Sequence, residues 1–97
     1  MGRQVRFGRW LCDVVFRQYG DGSTAIILNA SGGQRVAVAT VALDSRPPEW
    51  HVFIKTWSEN VGMLEAMVAA GVLVDTGKRI ACGQYDAQAA ICRLVTP

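Results

Sequence analysis

Arg9-Trp10-Leu11-Cys12-Asp13-Val14-Val15-Phe16-Arg17-Gln18 is the stretch that decides the fold. Side chains alternate faces along a strand, so this run sets Trp10, Cys12, Val14 and Phe16 on one side. Arg9, Asp13 and Arg17 fall on the other. The next residues, Tyr19-Gly20-Asp21-Gly22-Ser23, are turn chemistry, because glycine and aspartate adopt positive φ readily. A second strand over Thr24 to Ala30 follows. After the Asn29–Gly33 turn comes a third, valine-rich strand over Val36 to Leu43. Connections this short cannot make a crossover, so the three strands form an antiparallel meander.

Working outward, Asp44-Ser45-Arg46-Pro47-Pro48-Glu49 is a loop, since two prolines remove backbone donors and fix φ. Trp50 to Lys55 resumes as a short strand. Thr56-Trp57-Ser58-Glu59 has capping-box spacing, with Ser58 a second N-cap candidate. Trp57, Val61, Leu64 and Val68, with Met67 adjoining, lie at helical spacing on one stripe, and Gly71 suits a left-handed C′ residue. Closing strands are expected near Val72–Val74, Lys78–Cys82 and Ala87–Val95. The elements predict an α+β fold in one domain, residues 1–97: a mostly antiparallel sheet of five to six strands with one helix, about 58–70, packed on one face.

At 97 residues the chain can bury a core without metal or disulfide help. Its longest uncharged apolar stretch, Ala66 to Val74, falls well short of the roughly 20 residues that span a bilayer. The N-terminus lacks the apolar segment of a signal peptide, and Arg6 stands where a myristoylation motif requires Ser or Thr. The expected location is the cytosol. Cys12, Cys82 and Cys92 agree with it: an odd, widely spaced set suits small core residues better than a disulfide framework. With His51 they make a Cys3His set without zinc-knuckle spacing, so no metal site is expected.

Catalytic signals are poor. Gly20-x-Gly22 and Ser31-Gly32-Gly33 complete no phosphate-binding motif and lead into no helix. His51 has no sequence partner that marks it as a base, Glu59 and Glu65 do not share a helix face, and no cofactor motif is present. The expectation is a non-enzyme without cofactors.

A lone helix covers one face of such a sheet, yet the strands are apolar on both. Opposite the core set Trp10, Val14, Phe16, Ile26 and Leu28 stand Leu11, Val15, Ile27 and Phe53. Among these last are Arg9, Arg17, His51 and Lys55. An apolar patch rimmed with charge is the composition of a protein-binding face. The candidate partner-binding residues are therefore Arg9, Leu11, Arg17, Ile27, His51, Phe53 and Lys55. The other outcome is a sheet that curls into a half-barrel and buries both faces itself. Net charge is +2, and residues 1–19 carry Arg3, Arg6, Arg9 and Arg17 against Asp13. Aromatics beside cations also suit single-stranded nucleic acid, although the charge is modest and no nucleic-acid motif is present. A homodimer across the same face is a third possibility.

Tyr19-Gly20-Asp21-Gly22-Ser23-Thr24-Ala25-Ile26, Val38-Ala39-Thr40-Val41 and Ile54-Lys55-Thr56-Trp57-Ser58-Glu59-Asn60-Val61-Gly62-Met63-Leu64, with Ala70-Gly71 and Cys92-Arg93-Leu94, carry a resemblance. Together they resemble a family of small uncharacterised proteins borne on bacterial plasmids and phages, some related to anti-CRISPR proteins. The resemblance implies a cytoplasmic inhibitor in a bacterial host cell that binds a Cas effector stoichiometrically. It runs from about Tyr19 to Leu94 and leaves the basic N-terminal segment outside. Ser58-Glu59-Asn60 and Gly62-Met63-Leu64, its most specific part, also have a structural reading: Ser58 and Glu59 cap the helix, Asn60 bonds locally, Gly62 permits close approach, and Met63 and Leu64 enter the core.

Overall fold

Met1 and Gly2, which entered the case against an N-terminal leader or acyl anchor, lie outside the residues described by the computed structural model, 3–82 and 87–95. The alternating Arg9–Gln18 run forms strand β2 (Trp10–Gln18), preceded by a strand the sequence reading missed, β1 (Gln4–Phe7). The two are joined by Gly8-Arg9, with Gly8 at φ +60. A glycine at the first central position is the signature of a two-residue type II′ hairpin turn. Strands β3 (Thr24–Ala30) and β4 (Arg35–Val38) complete an antiparallel meander in the order β1-β2-β3-β4.

A second antiparallel sheet contains β5 (His51–Ile54), β6 (Leu73–Ala81) and β7 (Gln88–Leu94) in the order β5-β7-β6. The strands therefore divide into sheets of four and three, not the one sheet of five to six that was expected. The division happens at Ala39–Val41. Ala39 N–H still donates to Ile26 O at 2.8 Å, but Ala39 O accepts from Lys55 N–H and Val41 N–H donates to Phe53 O. Thr40 makes an isolated antiparallel bridge with Ile54. As the backbone leaves β3, the Thr40 hydroxyl takes its place: Oγ1 accepts the Ile26 N–H at 3.1 Å and shares a hydrogen bond with the Tyr19 hydroxyl at 2.9 Å. Thr40 is buried.

The inner faces of the two sheets pack into a common core. Val5, Cys12, Val14, Ile26 and Leu28 of the first meet Val52, Ile54, Leu73, Ala90, Cys92 and Leu94 of the second. A fully buried aliphatic side chain of this size contributes about 1.5–3 kcal/mol. Helix α1 (Met63–Ala69) touches β1 of one sheet and β6 of the other and adds Met63 and Met67 to the core. It bridges one outermost strand of each sheet, instead of lying on one face of a single sheet.

The expected helix over 58–70 is shorter and out of phase with its predicted stripe. Ser58–Asn60 form one turn of 3₁₀ helix, and Gly62 at φ +90 then breaks the chain direction before α1 starts. Neither Thr56 nor Ser58 caps it; Ser58 itself sits at φ +59. The break resets the helical register, so Met63 and Met67 face inward while Val61 is 72% exposed. Trp57, ahead of the break, packs in a different cluster. Asn60 does not bond locally: its Nδ2 reaches Val38 O at 2.8 Å, from a fully buried position. Nothing lies within 4 Å of a Cβ added at Gly62, so this glycine serves its positive φ and not a close approach. Gly71, at φ +76, does end the helix as expected. Among the described residues no helix is long and apolar enough to cross a membrane.

Replacing Thr40 by Val keeps the side-chain shape and strips the Ile26 amide of its acceptor. Leaving a buried donor unpaired costs about 1–3 kcal/mol, so Thr40→Val should shift the urea midpoint accordingly, with Thr40→Ser losing less. A loss under roughly 0.5 kcal/mol would show that the hydroxyl does not hold the crossing. Asn60→Leu, which abandons the Val38 carbonyl, should show a penalty of about the same size.

Candidate binding surface

Two surfaces combine apolar area with charge. The larger is the outer face of the four-stranded sheet. Val15, Ile27 and Val38 stand opposite one another across β2, β3 and β4 and form an apolar row, each partly exposed. Leu11 lies on the same face, 45% exposed, opposite Arg6. Arg17 stands opposite Ala25, and Arg35 opposite Asn29. Against these three arginines the face carries one carboxylate, Asp13, which accepts a 3.4 Å hydrogen bond from Gln4. Solvated arginines around partly exposed aliphatics make this face basic and adhesive.

The outer face of the three-stranded sheet is different. Phe53 is on the parity expected of it but only 4% exposed, packed with Cys82 and Ala89 under Val41, Leu43, Trp57 and Ile80. The segment that crosses between the sheets folds back over this face and does what a second helix would do elsewhere. Lys55 bonds Glu59 at 2.8 Å and lies 5.8 Å from the Trp57 ring. That hydrogen bond, followed by one from the Glu59 backbone and then by the Lys55 charge, holds the Glu59 carboxyl below its ordinary value. His51 pairs with Arg93 of β7, and its Nδ1 lies 2.8 Å from Glu49 O.

Leu11, Arg17 and Ile27 are thus brought to one face, with Val15. Phe53, His51 and Lys55 belong to the other sheet and do not join them. Arg9 occupies the β1–β2 turn, not a strand, and its guanidinium rests 5.3 Å from the Trp10 ring. The expected shared face for Arg9, Arg17, Phe53 and Lys55 is therefore not formed.

The second surface was not anticipated. Phe16, assigned to the core by its parity, is 39% exposed, at a point beyond the described β1–β2 pairing. It lines a groove of about 450 Å³ with Arg17, Gln18, Glu49, Trp50 and Leu94. Trp50 is 50% exposed and adopts φ +68. His51 N–H donates to Pro48 O at 3.0 Å, which makes Trp50 the third residue of a four-residue turn. A type II turn places its positive-φ residue there, usually glycine. For an L-residue with a bulky side chain this conformation costs roughly 1–2 kcal/mol. Its carbonyl is fixed by Leu94 N–H at 2.7 Å. No local signal distinguishes Trp50 from a strand residue; the turn is imposed by Pro47-Pro48 ahead and by β7 behind. In the turn between β2 and β3, Asp21 accepts from the Ser23 hydroxyl and N–H, which keep its carboxyl below the ordinary value.

All three cysteines are buried, as expected. Burial, with Asp75 adding to it, pushes the Cys92 thiol up to about 12; burial, then Asp13, raises Cys12. Among the described residues no three His, Cys, Asp or Glu side chains converge as metal ligands. Comparison with protein-family models, with curated proteins and with solved structures returns no match.

Two consequences of the buried thiols can be measured. The folded chain should resist iodoacetamide at pH 8 at Cys12 and Cys92, both reacting once it is unfolded. A folded-state pKa raised to about 12 keeps the Cys92 proton bound where the unfolded thiol, near 8.5, has lost it. Stability should therefore fall as pH rises from about 9 toward 12, with a Cys92 contribution approaching about 1.4 kcal/mol per pH unit. A Cys92→Ala variant with the same alkaline slope would refute this.

Proposed function

We propose that this chain works by binding another protein and occluding it. The resemblance of its Tyr19–Leu94 segments to plasmid- and phage-borne proteins suggests the partner class, a host defence complex of the CRISPR–Cas kind. The observation that carries the protein-binding reading is the basic outer face of the four-stranded sheet. Its Val15–Ile27–Val38 row is partly exposed and Leu11 is 45% exposed, whereas on the outer face of the other sheet the chain itself covers the Phe53 end and leaves Val74 and Arg93 exposed at the other. Stable interfaces bury about 800 Å² per partner, and the chain exposes 5954 Å² in all. One such interface would take roughly one-seventh of the surface. Arginines beside apolar residues are the usual energetic anchors. Pairing of this face with a second copy is disfavoured, because it would bring both copies' Arg6, Arg17 and Arg35 into one contact with only the two Asp13 carboxylates to offset them.

A dose titration tests the reading. Inhibition of Cas interference should saturate near one chain per effector complex, since an occluding protein acts by stoichiometry and an enzyme by turnover. Leu11→Glu combined with Ile27→Glu should weaken inhibition at least about tenfold with the melting temperature little changed, and Arg17→Glu by a smaller factor. Inhibition at strongly substoichiometric dose would overturn occlusion. Binding to bare oligonucleotides that falls steeply with salt would favour the single-strand nucleic-acid reading instead.

A further inference from the structure

The outer face of the four-stranded sheet is laid out in rows. Cross-strand partners share a face and strands lie about 4.8 Å apart, so the Val15–Ile27–Val38 row is about 10 Å long and one side chain wide. Rows on the same face follow one another about 6.7 Å apart along the strands. On one side the neighbouring row runs Gln4–Asp13–Asn29–Arg35, and on the other it runs Arg17–Ala25. The apolar strip is therefore bordered by an arginine on each side, at opposite ends: Arg17 next to Val15 on β2, and Arg35 near Val38 on β4. Both arginines are exposed, and among the described residues neither is in an ion pair. The Arg17 guanidinium donates only to the Phe16 carbonyl, at 3.0 Å. The apolar side chains of the face, Leu11, Val15, Ile27 and Val38, are all aliphatic. Single nucleic-acid strands are held by aromatic stacking, and the Asp13 carboxylate in the adjoining row would repel phosphates.

We propose that this face docks an acidic amphipathic helix of the protein partner, its apolar stripe along the Val15–Ile27–Val38 row and a carboxylate on each flank meeting Arg17 and Arg35. The dimensions select a helix. Apolar residues at i, i+4 and i+7 span about 10.5 Å, the length of the row. In an extended segment same-face residues recur about every 6.7 Å, out of step with a 4.8 Å spacing. The diagonal of the two arginines also fits. With i over Val15 and i+7 over Val38, a turn of about 100° per residue carries i+1 to one flank and i+6 to the other. Odd-numbered residues of β2 turn their backbone groups toward β3, because Val14 N–H donates to Arg3 O of the β1 side. Viewed from outside with β2 running upward, β3 then lies to its right. A right-handed helix running from Val15 to Val38 accordingly turns i+1 toward Arg17 and i+6 toward Arg35. The inference rests on the protein-binding reading and specifies what the partner presents.

The test uses the full isotope-labelled chain and a synthetic stapled helical peptide with leucine at i, i+4 and i+7 and glutamate at i+1 and i+6. Methyl resonances of Val15, Ile27 and Val38 should shift saturably. Lysine in place of both glutamates should weaken binding at least about tenfold, and so should Arg17→Glu combined with Arg35→Glu in the chain. The lysine peptide with that double variant should recover most of the loss, a coupling that damage to the fold would not produce. Asp13→Asn should tighten the acidic peptide a fewfold. No saturable shift of these methyls by about 1 mM peptide, equal binding of the lysine peptide, or failure of the charge swap overturns the proposal. An oligothymidylate that shifts the same methyls and displaces the peptide overturns it in favour of nucleic acid. If the peptide fails while Cas inhibition remains stoichiometric and sensitive to Leu11→Glu with Ile27→Glu, the helix-docking proposal falls and the protein-binding reading stands. Loss of stoichiometric inhibition as well brings down both.

Discussion

The two sheets are related through Thr40. A chain that leaves one sheet for another strands the backbone donors of the strand it abandons, and unpaired buried donors are costly. Here a side-chain hydroxyl replaces the missing backbone acceptor for Ile26, while Thr40's own backbone has already begun to pair with Ile54. Tyr19 anchors the same hydroxyl from the end of the β2–β3 hairpin. The crossing, the hairpin and the second sheet are thereby set against each other at one buried point. The placement of α1 at the outermost strands and the cover over Phe53 both follow from where the chain goes next.

Much of the meander was legible because its signals are local. The alternation in Arg9–Gln18, the Gly-Asp-Gly turn and the Pro-Pro loop each specify backbone conformation within a few residues. What escaped depends on tertiary context. β1 is a four-residue strand whose pattern is too brief to stand out, although Gly8 beside Val5 and Phe7 could have raised it. The helix was mis-phased because Gly62 sits inside an otherwise helical pattern, and a lone glycine there reads equally well as tolerated or as breaking. Parity placed Phe53 correctly on the second face but could not reveal that Val41, Leu43 and Trp57 return to cover it. The same limit applies to Phe16, whose parity is inward but whose side chain is 39% exposed beside the Trp50 turn.

The asymmetry between the two outer faces is the feature closest to function. One sheet has the Phe53 part of its second face buried by its own connecting segments; the other presents aliphatic side chains among arginines along its length. A fold that needed only stability could have covered both. Exposure at Leu11 and Trp50 and the backbone strain at Trp50 are unfavourable terms at opposite ends of β2, and such terms are commonly tolerated where a surface has work to do.

The order of strands in the second sheet bears on how the chain is made. The meander is built from consecutive hairpins and can zip together in sequence as it emerges from the ribosome. The second sheet cannot, because β7, the last strand synthesised, lies between β5 and β6 and is the hydrogen-bonding partner of both. Until it arrives, Val52, Phe53 and Ile54 belong to a strand without a neighbour on that side. The nascent chain therefore passes through an interval with half its architecture formed and half awaiting its central piece, and in that interval chaperones, or a second nascent copy, have something to hold.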